Sequence, residues 1–538
     1  MVYELDGIIK NKSNTAISKY IIKDSNGLTR EMTSREIKAL IIAGKRINGL
    51  KIKNNRLIRT HVVSQSQSNK GKNFRALSGD TLHRYISDHI ALSLNKRDMV
   101  YGILNFCSEP KSSRVLIVHG IRRTGKTVSI LQSISELIHR GVDRNNIVYI
   151  AITGNNVTLG DIVDYIESHN QEYIFIDEIT RVADFYDNAA IISDILAVSR
   201  YIVLTGTDSF VFPAVTKTNL YGRAQVIHST LIPYKEYIRL FNINTADAVD
   251  VYKNDGGMLL RSEFSSDPII YQTLKSVVLE NIKNSIRCGI KYDDVLNMIT
   301  EEQALYLIFN YIFMITQTKD AGSLISDRKK PTQRIINILH NISGLSLDVK
   351  DYNVYNLPKG ASKAMLLAMC ELDVIGVINN IAQNENGVER QNDCEIISFI
   401  QALARETLNY NSNIGKQIGF SFENMIIANT IMWARGCADD LHVGFAKYKY
   451  DKEQREVDIV VYKNTSNGRI GIPIEIKHKN EKENSDALHL KHESIEKVIG
   501  SIVRRIVVYR GKTIKDNGVL FINAHDYLTN LDTWLKLV

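Results

Sequence analysis

The chain has 538 residues, 44% apolar and 23% charged, with 67 Lys/Arg against 59 Asp/Glu for a formal charge of +8. That composition fills three or four cores at roughly 150 residues each and excludes a disordered chain. Five cysteines with no C-x-x-C pair exclude a zinc cluster or a disulfide framework, and no apolar run reaches bilayer length. The N-terminus carries no basic segment followed by an apolar run, so the expectation is a soluble protein of a reducing cytoplasm with no membrane partner.

Residues 1–62 alternate short apolar runs (Gly7-Ile8-Ile9, Tyr20-Ile21-Ile22, Leu57-Ile58) with polar turns, which predicts a small β-rich module holding one helix from Thr33 to Ala43. The module is basic: residues 1–90 hold seventeen Lys/Arg against seven Asp/Glu, an excess larger than that of the whole chain. Such a segment suits a polyanion such as DNA, bound by counterion release, or is an ordinary solvated basic face. Residues 63–80 are polar, glycine-containing and aperiodic, and read as a linker. A helix from about Thr81 to Cys107 then leads into a core over 81–240.

That core opens with an apolar strand, Val115 to Val118, running into Gly120-Ile121-Arg122-Arg123-Thr124-Gly125-Lys126-Thr127, with Val128 continuing into a helix. Gly120 and Gly125 let backbone wrap a phosphate closely. Lys126 brings a cation to the β/γ-phosphates, and the Thr127 hydroxyl can ligate Mg²⁺. The helix must start here so that its free N–H groups face the anion, and Leu131, Ile134, Leu137 and Ile138 recur at helical spacing.

Tyr173 to Asp177-Glu178 reads as a second buried strand, expected beside the phosphate-loop strand and ending in two carboxylates. Asp177 would hold Mg²⁺ through water and Glu178 would polarise the attacking water. Arg200 to Thr207 is another strand whose end turns polar, making Thr205 or Thr207 a γ-phosphate sensor. Arg223 precedes the apolar stretch from Val226 and reads either as an arginine finger or as an ordinary surface arginine. After Phe241 helical patterns dominate, dividing into a lid over 241–295 and a helical module over 296–388. No internal repeat is evident.

The last region, 389–538, holds a second constellation. Arg455 to Tyr462 and Ile472 to Lys477 read as adjacent strands joined by the turn Asn464–Gly468, and alternation puts Glu475 and Lys477 on one face with Ile474 and Ile476 opposite. Asp458, Glu475 and Lys477 spell D-x(16)-E-x-K, and Glu423 is a helical acid upstream. Carboxylates so placed can hold Mg²⁺ against a scissile phosphate while a lysine serves the attacking water; the plain alternative is an amphipathic hairpin with solvated charges. His478, His489 and His492 fall in a Lys/Glu/Asn-rich stretch that reads as a solvated loop, not a ligand set.

The order of strands, Arg122-Arg123 inside the loop, Ile-Asp-Glu-Ile at the acid strand, Leu-Thr-Gly-Thr, Gly222-Arg223 and Leu231-Ile-Pro-Tyr-Lys-Glu-Tyr237 resemble a large prokaryotic group of AAA+-type ATPases. The likeness covers residues 85–240 well and 390–530 loosely. It implies an α/β multidomain chain: a P-loop core with a parallel sheet between helices, a helical lid, a winged-helix-like module, and a C-terminal domain similar to restriction endonucleases of the PD-(D/E)xK type. Val457 stands where that signature has proline. The implied cofactors are ATP and Mg²⁺, with DNA as partner and a second copy of the chain if Arg223 acts in trans. The expected function is an ATPase coupled to a nuclease-like domain acting on DNA, in genome defence or mobile-element biology. The competing expectation is an ATP-driven switch whose C-terminal domain only grips a partner.

Overall fold

The computed structural model describes residues 2–10, 17–23, 29–32, 46–48, 50–53, 56–59, 74–89, 94–154, 157–259, 280–287, 291, 293–300, 303–304, 306–308, 357–382, 394–401, 403, 414–437, 440–450, 453–483 and 485–537. The chain divides into a unit Met1–Gly71 and a unit Lys72–Val538. In the first, β1 (Val2–Lys10) pairs antiparallel with β2 (Ile17–Lys23) and parallel with β4 (Arg46–Asn48), and β3 (Thr29–Met32) pairs with β2. β5 (Leu50–Lys53) and β6 (Arg56–Arg59) make a separate antiparallel pair. The isoleucine-rich runs suit pleated backbone. The helix expected over Thr33–Ala43 lies outside the described residues.

The second unit is built on two large sheets. In the first, β8 (Val115–His119), β9 (Ile147–Ile152), β10 (Tyr173–Asp177), β11 (Tyr201–Gly206) and β12 (Ala224–His228) run parallel in the order β12-β8-β11-β10-β9. Four of them are near-continuous apolar runs because helices cover both faces. Val115, Ile117, Ile150, Ile174 and Ile202 pack with Ile162 and Ile166 of the helix Leu159–Glu167 on one face. Leu116, Val118, Tyr149, Phe175 and Val203 pack on the other with Ile130 and Ile134 of the helix Lys126–His139.

The order corrects one expectation: β11 lies between the phosphate-loop strand β8 and the acid strand β10, so the acids are one strand further away than adjacency would put them. The linker expected over 63–80 also ends early. Phe74–Ser78 forms β7, antiparallel to β9 at the sheet edge, with Phe74 and Leu77 buried. Five residues flanked by Lys, Asn and Gly show too little alternation to read as a strand; the open edge of β9 supplies the partner. The single helix expected from Thr81 to Cys107 is two helices, Gly79–Ser87 and Asp98–Phe106, the second starting after the buried Arg97, whose backbone is extended.

The boundary expected at 388/389 falls between two strands that pair: β13 (Ile375–Asn379) is antiparallel to β14 (Cys394–Ser398). Beyond them the helix Ile414–Gly436 precedes a seven-stranded sheet of β15 (His442–Tyr450), β16 (Glu453–Thr465), β17 (Gly468–Ile476), β18 (Ser501–Ile502), β19 (Arg505–Tyr509), β20 (Ile514–Asp516) and β21 (Val519–Asn523). β15, β16 and β17 form an antiparallel meander; β17, β19 and β21 are parallel. Thr465 faces Gly468 across a two-residue turn, where Gly468 takes φ +109°. Tyr234, Tyr237 and Leu240 of the helix Tyr234–Leu240 share one apolar core with Phe422, Met425, Ile459 and Ile474, so the segment after β12 is packed into the C-terminal region.

The helix Thr245–Asp255 follows, and the chain leaves it through Gly257 at φ +89°. A Cβ on Gly257 would lie 2.2 Å from Phe399 O, and the neighbouring Gly256 O accepts the Gln401 N–H at 2.8 Å. Gly257→Ala therefore combines a left-handed backbone penalty with a backbone clash, and should lower unfolding stability by about 2–4 kcal/mol. A urea or thermal melt indistinguishable from the parent's would show that no close approach exists there.

Candidate functional site

The phosphate loop leaves β8 at His119. Gly120 adopts φ +149° and a Cβ there would lie 2.3 Å from Ser229 Oγ, so this glycine admits the segment after β12 as well as any phosphate. Gly125, at φ +88°, caps the helix Lys126–His139. Between them Ile121 is buried among Met258, Ile282, Ile286 and Met365, while Arg122 and Arg123 are exposed. The Arg122 N–H donates to Ser285 Oγ at 3.2 Å and the Ile121 N–H to Thr230 Oγ1 at 3.0 Å. Thr124 Oγ1 bonds Ile121 O at 3.0 Å and Ser229 Oγ at 2.7 Å. Val128 packs against the apolar core beneath.

Lys126 Nζ is folded into the loop, donating to Gly120 O at 2.9 Å and Ile121 O at 2.8 Å. Burial lowers its pKa to about 8, against the opposing pull of Glu178 and Asp177. Thr127 Oγ1 donates to Asp177 Oδ2 at 2.8 Å, which also accepts from Tyr149 OH at 2.9 Å. Thr205 donates to Asp177 Oδ1 and receives the Glu178 N–H at 3.1 Å, and Thr207 Oγ1 reaches Glu178 Oε2 at 3.3 Å. Glu178 itself sits at φ +60°, a left-handed conformation that lets the chain turn sharply after the strand. The hydroxyl of Thr127 and the carboxylate of Asp177 are thus already in contact, the pairing that Mg²⁺ with a bound triphosphate requires, so these residues fit that ion.

Arg223 is elsewhere. Ala224 pairs with Val115 and His228 with His119, so Arg223 lies at the far end of the sheet, five residues or about 16 Å from the loop end. Its guanidinium pairs with Asp194 in the short π-helix Ile192–Leu196, both side chains about half exposed. It forms no part of this chain's own nucleotide site.

Sequence reasoning passed over the groups that brace the loop. Arg97 and Glu236 form a buried ion pair at 2.8 Å, and Arg97 Nη1 donates to Thr124 O at 2.8 Å. Tyr149 and His119 lie inside apolar strands, where the signal available was a polar-tipped ring in an otherwise aliphatic run. His119 Nε2 lies 2.9 Å from Asp208 O, and burial, then the neighbouring His228, hold its pKa down at about 4. Burial raises Asp208 to about 6 although its carboxylate accepts the Phe210 and Val211 N–H groups.

In the C-terminal sheet a bulge aims the first acid. Gly444 pairs with Val460 and Ala446 with Val457, so Asp458 and Ile459 together oppose the single Phe445. Asp458 Oδ2 accepts the Ile476 N–H at 2.7 Å, and burial, then Glu475 and Glu423, push its pKa well above the usual carboxylate range. Glu475 is buried with both oxygens engaged: Oε1 by Lys477, Oε2 by His489 Nε2 at 3.0 Å. Burial pulls the Lys477 ammonium down, but Asp458 and Glu475 outweigh it and the net shift is upward. Glu395, pushed to about 9 by burial and then by Glu456 and Glu423, extends the acidic cluster. The expected charge set therefore meets electrostatically, yet among the described residues no three His, Cys, Asp or Glu side chains converge as a metal-holding group. As arranged, with Lys477 and His489 on its two oxygens, Glu475 is closed to a cation until one of them moves. His489 corrects the solvated-loop reading; His492 caps the helix Glu493–Ile499, and His478 lies 3.3 Å from Arg510 and edge-on to Phe422.

Residues 112–238 match a family model described as an AAA domain. This part of the chain is an AAA-type P-loop domain. Residues 418–527 match a family described as a domain of unknown function. Over 326 residues the chain is 24% identical to an uncharacterized protein of Haemophilus influenzae, taking in 56% of this chain and 76% of that protein. Among solved structures, a DNA polymerase III gamma subunit-related protein of Thermotoga maritima aligns at 13% identity over 51% of this chain and 99% of its own, with a TM-score of 0.22. A Vibrio cholerae protein aligns at 12% identity over 82% and 95%, with a TM-score of 0.17. No helix among the described residues is long and apolar enough to cross a membrane.

His119, one residue before the AAA domain's phosphate loop, gives that domain a pH signature. Its folded pKa lies below the ordinary 6.5, so its contribution to stability is complete above pH 6.5 and is lost as pH falls through 4. Between pH 7 and pH 4 the parent should lose about 3 kcal/mol relative to His119→Gln, which keeps a donor for Asp208 O but does not titrate. Urea unfolding of both proteins across that range checks it, with the opposite trend from Asp208 common to both; parallel curves would place His119 in water.

Proposed function

We propose that this chain binds ATP and hydrolyses it at the phosphate loop, and that turnover acts on a C-terminal domain that handles DNA. The observation carrying the first part is the Thr127–Asp177 contact at 2.8 Å, directly beside the buried Lys126 and followed by Glu178. Thr127, and Asp177 through water, would hold Mg²⁺, which would supply charge neutralisation on the β- and γ-phosphates. Lys126 exchanges two loop carbonyls for phosphate oxygens. Glu178, steadied by Thr207 and by the bond from its N–H to Thr205, orients the attacking water and takes up its proton. Arg223, too far from its own loop, would serve the γ-phosphate of a neighbouring copy once it leaves Asp194.

Lys126→Ala should lower kcat/KM for ATP by about 100-fold or more, and Glu178→Gln should bind ATP while losing turnover to a similar degree. Arg223→Ala should lower kcat far more than affinity, and mixing it with Lys126→Ala protein should restore activity if the finger acts in trans. Normal steady-state hydrolysis by both the Lys126 and Glu178 variants would sink the ATPase reading.

For the C-terminal region the reading is a PD-(D/E)xK-type nuclease domain, supported by the helix Ile414–Gly436 ahead of an antiparallel meander, the bulge at Asp458, and Glu475 with Lys477 at the end of β17. Cleavage would require Glu475 to exchange Lys477 and His489 for a divalent ion. The engagement of both Glu475 oxygens favours a second reading, in which the domain grips nucleic acid or protein without cutting. Asp458→Asn and Glu475→Gln should abolish any Mg²⁺- or Mn²⁺-dependent DNA cleavage while ATP hydrolysis stays within about 2-fold of the parent, because ligation is local. Equal cleavage by parent and variants, or none by the parent under any nucleotide condition, transfers the assignment to the gripping reading.

A further inference from the structure

The loop's Thr124 carbonyl is held by a guanidinium from outside the AAA domain's sequence motif. Arg97 is 4% exposed and Glu236 3% exposed. Every N–H of Arg97 is used: Nε and one Nη2 hydrogen go to the two Glu236 oxygens at 2.8 and 3.1 Å, the other Nη2 hydrogen to Leu231 O at 2.9 Å, and the Nη1 pair to Thr124 O and Ser229 O. A planar fork with five donors in fixed directions meets this demand, and the three-donor ammonium of lysine does not.

Thr124 directly precedes Gly125. In a trans peptide the C=O and the following N–H point in opposite directions, so turning the Thr124 carbonyl toward Arg97 turns the Gly125 N–H away from it. That peptide orientation, one residue from Lys126, is what a loop must hold if its amides are to meet an anion. The same guanidinium holds Ser229 O and Leu231 O, on the segment whose Ser229 and Thr230 hydroxyls grip the loop from the other side.

Glu236 carries the connection outward. Its helix Tyr234–Leu240 is anchored in the C-terminal core through Tyr234 and Tyr237. The Tyr234 N–H donates to Asn429 Oδ1 at 2.8 Å, and Tyr234 OH lies 2.7 Å from His525 Nδ1. Glu236 Oε1 also accepts the Asp98 N–H at 2.9 Å, fixing the start of the helix Asp98–Phe106. One buried ion pair therefore joins the phosphate loop, the segment after β12 and the C-terminal region.

We propose that Arg97 is a positioning residue of the nucleotide site and that its pairing with Glu236 links the conformation of the phosphate loop to the C-terminal region. The inference rests on the ATP-binding reading. It requires that a shift of the loop on binding nucleotide be felt by the Tyr234–Leu240 helix, and the reverse, since coupling between two sites is reciprocal.

The test uses the full chain, Mg²⁺ with a non-hydrolysable ATP analogue, and the variants Arg97→Lys and Glu236→Gln, at a temperature where each is folded by circular dichroism. In the parent, saturating analogue should change amide exchange within residues 231–240 and 422–436. Both variants should bind the analogue at least about 10-fold more weakly, and at saturation the exchange change in those two segments should be lost while that at residues 120–130 remains. Should Arg97→Lys fail to fold, Glu236→Gln, which keeps the shape of the side chain, decides the matter alone. A folded variant with parental affinity and a parental exchange response overturns the inference and leaves the ATPase reading standing. A parent that binds no nucleotide overturns both.

Discussion

The phosphate loop is a run of backbone with no ladder of its own, and the satisfaction of its polar groups is the constraint on which the rest of the second unit depends. A buried N–H or C=O without a partner costs about 1–3 kcal/mol, so each must be met from elsewhere. Gly120 O and Ile121 O are met by Lys126, the Ile121 N–H by Thr230, the Arg122 N–H by Ser285 and Thr124 O by Arg97. These partners come from the helix after the loop, the segment after β12, the stretch around Ser285 and the turn before Asp98. A loop held from four directions is pre-shaped, and displacing it displaces all four.

The sheet order sets where charge gathers. With β11 inserted between β8 and β10, Thr205 at its end reaches both Asp177 and the Glu178 amide, so the hydroxyl expected to sense a phosphate also fixes the two acids. Lys126 is buried with those acids as its nearest opposite charges, and burial outweighs them enough to bring its pKa to about 8. Ile121 adds an apolar tie, since it sits in a core with Met258, Ile282, Ile286 and Met365 and not in that of the sheet. Polar and apolar ties thus bind the AAA domain to the regions on either side of it.

The C-terminal cluster shows the opposite balance. Asp458, Glu475, Glu423 and Glu395 crowd one region, and desolvation with mutual repulsion drives Asp458 and Glu395 toward their neutral forms. Lys477 and His489 relieve the strain by taking the two oxygens of Glu475. Such a cluster is closed to a cation until one of these partners moves, which makes the same residues compatible with cleavage in one arrangement and with plain binding in another.

Local spacing determined by itself the phosphate loop, the helix after it, the acids at the end of β10 and the hairpin that carries Asp458, Glu475 and Lys477. Each depends on residues close in the chain, where covalent geometry and alternation suffice. Strand order does not follow from such patterns, so the place of β11, the edge strand β7 and the pairing of β13 with β14 across an expected boundary emerged only in the folded chain. Spacing marked Arg223 as a candidate but not where it would act; β12 carries it to the end of the sheet away from this chain's own loop, because a parallel strand holds its start and its end at opposite ends of the sheet. Arg97 and Glu236 lie 139 residues apart, and nothing in either neighbourhood marks them as partners. Only tertiary packing decided that pair, because a buried guanidinium persists where every donor is met, and its acceptors come from two separate stretches of the chain, Thr124 and residues 229–236.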